Sequence, residues 1–174
     1  MLRHVEIVEE AYDPEMFCGQ FRTQLNLGAN AGAIVTFTGI ARHERDSDDP
    51  VEKLLLQHYP GVTEQQIEAA AAKAGAQFQL SGVWIAHRVG VVRPGAPIVT
   101  VAAASAHRRS AFDATDYLMD YLKSAALFWK KEYRRSGARW IEPRAEDHLD
   151  AARWRASVDS ICANDHEERG HGGH

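Results

Sequence analysis

The most constraining feature of this sequence is an apolar strand followed almost at once by an amphipathic helix, within residues 95–132. Residues 96–104, APIVTVAAA, form a short apolar run of the length and composition typical of a buried strand. Ser110 and Asp113 have the spacing of an N-terminal capping box, which predicts a helix over 111–125. The chain is therefore expected to contain both strands and helices in one fold.

Strand and helix patterns alternate along the rest of the chain, which is expected to form a single domain over residues 1–161. The last segment, 162–174, is polar and is predicted to be a flexible tail. Hairpin-like pairs of strands over 33–59 and 79–104 favour an α+β fold, with a mixed, largely antiparallel sheet and packed helices. The other predicted elements are strands at 4–10, 33–40, 51–59, 79–92 and 138–141, and helices that begin at Asp13-Pro14 or cover 64–74, 128–135 and 145–161.

Composition and charge exclude several classes of protein. The formal charge of -4 argues against a dedicated nucleic-acid binder, which is usually basic. The sequence contains no run of about 18 apolar residues and no signal peptide, so a cytoplasmic protein without membrane contact is expected. Cys18 and Cys162 form no CxxC motif, so a thiol zinc site is not expected and both thiols are predicted to be reduced. Glycine-rich nucleotide loops and a G-x-S-x-G motif are also missing.

A cluster of basic residues, His107, Arg108 and Arg109, lies at the start of the helix predicted after the apolar strand. Cations are unfavourable at a helix N-terminus, whose dipole attracts negative charge. They are tolerated there if an anion binds between them and the helix amides, and helix N-termini do bind phosphate. The alternative is a solvated turn whose basic side chains pair with acidic neighbours. The first interpretation predicts a site for an anionic substrate.

Two lysines, Lys123 and Lys130, follow at a spacing of seven residues, which would place both on one face of an unbroken helix. A lysine in a dry, cationic pocket has a lowered pKa and can act as a base or nucleophile. The alternative is a pair of exposed lysines on an amphipathic helix, although the intervening AALFW would partly bury them. Arg42 ends the strand FTGIAR, and it is either a ligand contact at a strand end or an ordinary edge arginine.

No metal or cofactor is expected. Three histidines in the tail could bind a metal, but they are interpreted as part of a flexible segment with adventitious metal affinity: His166, His171 and His174.

Six motifs in order closely resemble the large, catalytic subunits of molybdopterin synthase. The resemblance runs from about residue 4 to 155. The motifs are GAIVTFTGIAR, LQHYPGVTE, IAHRVGVVRPG, SAHRRSAF, MDYLKSAALFWKKE and RWIEP.

This resemblance implies a sulfurtransferase of molybdenum cofactor biosynthesis. Members of the family convert cyclic pyranopterin monophosphate into molybdopterin by adding two sulfurs. The sulfur arrives as a thiocarboxylate on the C-terminal Gly-Gly of a small ubiquitin-like subunit. Two large subunits form a homodimer, and a small subunit at each end completes a heterotetramer. The implied fold is α+β with a hammerhead-like subdomain.

The resemblance also implies roles for individual residues. Lys123 matches the leading catalytic candidate, and Lys130 matches a second lysine near the substrate and the partner's tail. The implied substrate-binding residues are Arg42, His107, Arg108, Lys123, Lys130, Lys131 and Glu132. Many members have lysine where this chain has Ile40, so one positive charge is missing here, and Arg109 could compensate for it.

Two other classes of function compete with the synthase. One is a non-catalytic scaffold that binds a ubiquitin-like protein, against which the retained Lys123 and Lys130 argue. The other is a phosphohydrolase or phosphotransferase that uses the His107-Arg108 pair. That activity would need a metal site or a nucleophile, and the sequence offers no carboxylate cluster for it.

Overall fold

The chain forms two four-stranded β-sheets and three helices in the computed structural model, which describes residues 1–25, 31–44, 47–126 and 128–142 and Leu149, Ala152 and Trp154. The elements in chain order are β1 (Leu2–Val8), α1 (Pro14–Leu25), β2 (Ala33–Ile40), β3 (Lys53–His58), α2 (Val62–Gln77), β4 (Leu80–Arg88), β5 (Gly90–Val92), β6 (Pro97–Ser105), α3 (Arg108–Ser124), β7 (Phe128–Arg134) and β8 (Gly137–Ile141).

The first sheet, sheet A, has the strand order β1-β4-β6-β2, and the second, sheet B, has the order β5-β3-β7-β8. In sheet A, β1 pairs with β4 in parallel, whereas β6 pairs antiparallel with both β4 and β2. All pairs in sheet B are antiparallel. The predicted α+β class with mixed, largely antiparallel sheets is confirmed.

Sheet A is covered on both faces, which explains the continuous apolar run of β6. Alternate residues of β4, Val83 and Ile85, pack with α2 and α3 in one core cluster. The residue between them, Trp84, packs against Phe17 and Phe21 of α1 on the other face. Because both faces are buried, neither β4 nor β6 has a polar side, and the two strands are predominantly apolar.

Sheet B continues from one end of sheet A. Strand β5 follows β4 after Val89 and pairs with β3, so the chain passes from one sheet to the other at this point. A third core cluster joins Leu54 and Leu56 of β3 to Ala41, which directly follows β2. This contact fixes sheet B at the end of sheet A where β2 and β4 finish and β6 begins.

Two predictions about local structure are wrong, and the strand predicted over 79–92 is divided in two. The segment predicted as a helix over 128–135 forms strand β7 instead. Pairing with β3 on one side and β8 on the other satisfies the backbone hydrogen bonds of this strand. Residues 33–59 form no hairpin, because β2 and β3 belong to different sheets. The segment 79–92 splits into two strands, and Gly90, with φ +79°, stands at the start of the second.

The other predicted elements match with small shifts at their ends. Asp13 caps α1, where its side-chain oxygen accepts a hydrogen bond of 2.9 Å from the Glu15 amide. The predicted C-terminal helix, 145–161, lies largely outside the described residues, of which Leu149, Ala152 and Trp154 are helical. The predicted tail lies outside them entirely.

Candidate functional site

The start of α3 carries the basic cluster expected from the sequence. His107 is the N-cap residue, and Arg108 and Arg109 are the first two residues of the helix. The first turn contains no acidic residue, so positive side chains stand at the positive end of the helix dipole. Arg109 lies 3.8 Å from Asp113, and both side chains are solvent-accessible. The predicted capping box is wrong, because the helix begins at Arg108 and Ser110 lies inside its first turn.

The end of α3 carries Lys123 in its last turn, with its side chain exposed. Arg42, also exposed, follows β2 by two residues, and the Ala41 amide donates 2.9 Å to the Ala96 carbonyl beside the start of β6. Since α3 runs back along sheet A from the end of β6, its last residues return to the end where β6 begins. Leu122 near the end of α3 and Val99 near the start of β6 belong to the same core cluster, which agrees with this direction. Arg42 and Lys123 therefore share one end of sheet A.

The two ends of α3 are far apart in a single copy of the chain. Arg108 and Lys123 are separated by fifteen residues of helix, which corresponds to about 22 Å. One protomer thus brings Lys123 to the same end as Arg42, but it does not bring His107 and Arg108 to that end.

Strand β7, which carries Lys130, begins at the junction of the two sheets. Phe128 opens β7 and stacks on His87 of β4, with ring centroids 3.7 Å apart. Burial lowers the pKa of His87 to about 4, so the stacked ring is neutral at physiological pH. Lys130 lies two residues further along β7 and shares a face with Phe128, because strand side chains alternate. We call Arg42, Lys123 and Lys130 the junction cations.

The expectation that Lys123 and Lys130 share a helix face is wrong, since one is on α3 and the other on β7. Lys131 lies on the opposite face of sheet B from Lys130. Its ammonium group is 5.5 Å from the ring centroid of Tyr133 and 5.3 Å from that of Trp140. These rings hold Lys131 by cation–π attraction. Lys131 is thus directed away from the junction cations within one protomer.

Glu132 shares the face of Lys130 but is paired with arginines. Its Oε2 accepts hydrogen bonds from Arg134 Nη2 at 3.1 Å and from Arg139 Nη2 at 3.3 Å. Its side chain is only 13% exposed. The sequence analysis did not identify Arg134. Lys130, Glu132 and Arg134 are spaced by two residues, which in a strand places all three side chains on one face, and this spacing could have indicated it.

The described residues contain no group of three or more histidine, cysteine or acidic side chains arranged to hold a metal ion. Cys18 lies on α1, across sheet A from α3, with its thiol 3.8 Å from Thr36 Oγ1. Ile40 is 59% exposed at the end of β2. No helix within the described ranges is both long and apolar enough to span a bilayer.

Together these features define an α+β protein with a cluster of cations, and no described cysteine, where its two sheets meet. The family model described as MoaE protein matches residues 7–125. The chain belongs to the MoaE family.

Individual relatives agree with this assignment. The chain is 47% identical over 150 residues to the molybdopterin synthase catalytic subunit of Caulobacter vibrioides, covering 86% of this chain and 96% of that protein. It is 43% identical to the subunit of the same name from Pseudomonas aeruginosa, over 86% of this chain and 97% of that one. The solved MoaE protein of Burkholderia ambifaria superposes with a TM-score of 0.72 at 36% identity, covering 88% of this chain and 98% of that one.

Proposed function

We propose that this chain is the catalytic subunit of a cytoplasmic molybdopterin synthase. It transfers two sulfurs from a thiocarboxylated small subunit to cyclic pyranopterin monophosphate, which yields molybdopterin. Family membership supports the reaction, since the curated relatives with 43–47% identity are molybdopterin synthase catalytic subunits. The observation that carries the proposal is the arrangement of β2, α3 and β7, whose directions take Arg42, Lys123 and Lys130 toward the end of sheet A that adjoins sheet B.

The junction cations fit the chemistry of this substrate. A phosphate ester needs cationic donors, and a guanidinium such as that of Arg42 can bind phosphate with two parallel hydrogen bonds. The cyclic phosphate gains charge as it opens, and fixed cations stabilise that charge. The partner's thiocarboxylate sulfur attacks a side-chain carbon of the pterin, and a C–S bond forms as that carbon's C–O bond to the phosphate breaks. Water then cleaves the acyl–sulfur bond, directly or after transfer of the acyl end to Lys123, so the sulfur stays on the pterin and the partner's tail leaves as a carboxylate. Lys123 acts either as the acid or base of this step or as a transient acceptor of the partner's acyl end.

The distance between Arg108 and Lys123 implies that a complete site uses two copies of the chain. In the proposed homodimer, His107 and Arg108 of one protomer reach the junction cations of the other. A helix-start anion site and the junction cations then surround one substrate. A small ubiquitin-like subunit with a C-terminal Gly-Gly binds at each end and completes a heterotetramer.

Reconstitution tests the reaction. The purified chain is mixed with a thiocarboxylated small subunit and cyclic pyranopterin monophosphate, and the dithiolene product is measured. Formation of molybdopterin supports the synthase, whereas binding of the small subunit without product supports the non-catalytic scaffold.

Subunit mixing tests the shared site. Arg108→Ala and Lys123→Ala are each expected to be nearly inactive, and their co-expression produces mixed dimers. If the residues act across protomers, each mixed dimer has one intact site, and about a quarter of the wild-type activity returns. No recovery in verified mixed dimers would contradict a site formed by both protomers.

A further inference from the structure

Arg134 forms the most extensive ion-pair network among the described residues, beside the junction cations. Its Nη1 and Nη2 donate to the two carboxylate oxygens of Glu44, at 2.7 and 3.0 Å. Its Nε and Nη2 donate to Oε2 of Glu132, at 3.3 and 3.1 Å. Its Nη1 also donates to the backbone carbonyl of Asp49. Only 15% of the Arg134 side chain is exposed.

This network fixes the segment that follows Arg42. Glu44 is two residues beyond Arg42, in a segment rich in charged residues. Asp49 adds a second attachment, because its carboxylate accepts hydrogen bonds from the amide and hydroxyl of Ser136 in the turn between β7 and β8. The described parts of this segment are therefore bound to sheet B.

The network also controls the charge near the junction. Glu44 lies two residues from Arg42, and Glu132 lies two residues from Lys130 on the same face of β7. The Arg134 hydrogen bonds lower the pKa of Glu44, so this carboxylate is ionised at neutral pH. Without Arg134, Glu44 would lose this cationic partner and Glu132 would keep Arg139, so negative charge would increase next to cations that must attract a phosphate.

The adjacent cleft is not a second anion site. It measures about 400 Å³ and is lined by Ser47, Asp49, Arg134, Ser136 and residues 137–139. Every nitrogen of the Arg134 guanidinium already donates to a carboxylate or a carbonyl oxygen. An incoming phosphate would have to displace a carboxylate, so Arg134 acts on its neighbours and not on a ligand in this cleft.

We infer that Arg134 is a positioning residue. It holds Glu44 and Glu132 away from the junction cations and thereby preserves the affinity of the site for the substrate's phosphate. This inference rests on the proposed function for the identity of the substrate. It also gives Glu132 a different role from the one that the resemblance implies. The Glu132 carboxylate pairs with arginines, and the junction cations bind the substrate.

The main test compares three variants of the full-length chain. Arg134→Gln removes the cation and leaves both carboxylates, so the KM for cyclic pyranopterin monophosphate should rise about tenfold while kcat changes less than about twofold. Adding Glu44→Gln removes one released charge and should restore most of the KM. Arg135→Gln changes the net charge equally on a side chain that is 83% exposed, and its KM should stay within about twofold of wild type.

Two results would overturn the inference. One is an unchanged KM in Arg134→Gln. The other is a double variant no better than the single one, because a purely structural role of Arg134 would not be repaired by removing a carboxylate. If the Arg134 variants do not fold, Glu44→Gln alone provides a second test of the inference. Its charge change should strengthen phosphate binding about two- to threefold, and weaker binding would also reject the inference.

Binding of inorganic phosphate, measured by calorimetry, separates this inference from the proposed function. If the wild-type chain gives no dithiolene product, the synthase proposal fails. The phosphate affinities of wild type, Arg134→Gln and the double variant still follow the predicted order if Arg134 protects the junction cations. Equal affinities in all three would reject the role of Arg134 whatever the reaction is.

Discussion

Sheets A and B are stabilised in different ways. In sheet A, β4 and β6 are buried on both faces between helices, and most of their side chains are apolar. In one copy of the chain, sheet B exposes one face that carries Trp129 and Trp140, and ion pairs surround its other face. Substitutions in sheet A should therefore cost folding free energy, whereas substitutions near sheet B should mainly change charge and substrate binding.

Lys123 is the strongest test of where the chemistry lies. Lys123→Ala should lower kcat by about a thousandfold or more, because it removes the proposed acid, base or acyl acceptor. Its unfolding free energy should be nearly unchanged, since the side chain is exposed at the end of α3. Lys73→Ala, an exposed lysine on α2, is the matched control and should retain full activity. Near-normal turnover in Lys123→Ala would show that Lys123 is not catalytic.

Alanine substitutions of Phe21 and Trp129 compare how much a buried side chain beside sheet A and an exposed side chain on sheet B contribute to the unfolding free energy. Phe21 is fully buried and packs edge-on against Trp84, so Phe21→Ala should lower the unfolding free energy by about 3–5 kcal/mol. Trp129 is 45% exposed on sheet B, and Trp129→Ala should cost less than about 1.5 kcal/mol in the monomer. Urea denaturation measures both values. Equal losses would mean that sheet B is stabilised like sheet A and that the contrast is wrong.

His87 connects the two sheets and should make their junction sensitive to pH. Its pKa is lowered by burial from 6.5 to about 4, so between these values the unfolded chain binds a proton that the folded chain does not. Stability contributed by the neutral ring is present above pH 6.5 and is lost as the pH falls toward 4. At pH 5 the loss relative to pH 7 is about 2 kcal/mol.

Urea unfolding of His87→Phe at the two pH values isolates this effect. The phenyl ring can stack on Phe128 but does not titrate, so the variant should lose less stability than wild type between pH 7 and pH 5. His43→Gln removes an exposed histidine and should retain the wild-type pH dependence. If His87→Phe has the same pH dependence as wild type, titratable groups other than His87 cause the loss of stability between pH 7 and pH 5.

Much of sheet A follows from local sequence patterns. Three elements could be predicted because the apolar pattern of each lies within a short stretch of the sequence. They are β6 with its apolar run, α1 with the stripe of Phe17, Phe21 and Leu25, and the amphipathic α3. The basic cluster at the start of α3 is also visible in the sequence. Its position at the helix start was predicted, and only the capping box was wrong.

Strand β7 shows where sequence reasoning fails. Its residues, FWKKEYR, alternate in a way that suits a strand, but Lys123 and Lys130 at a spacing of seven also suggested a helix. Pairing with β3 and β8 decided the outcome, since these partners satisfy the backbone hydrogen bonds of β7. Those partners lie 70 or more residues before and just after β7, so no local window contains the deciding contacts.

The α+β class, the family and the residue types suited to a phosphate-bearing substrate can all be read from the amino-acid sequence. Which of these residues lie near one another depends on how the helices and strands pack. The packing directs β2, α3 and β7, which carry or precede Arg42, Lys123 and Lys130, toward the junction of the two sheets, and it leaves Arg108 about 22 Å from Lys123 at the far end of the same helix. The reason is geometric, because a strand or a helix separates its two ends by a distance that only the packing of other elements, or of a second copy, can close.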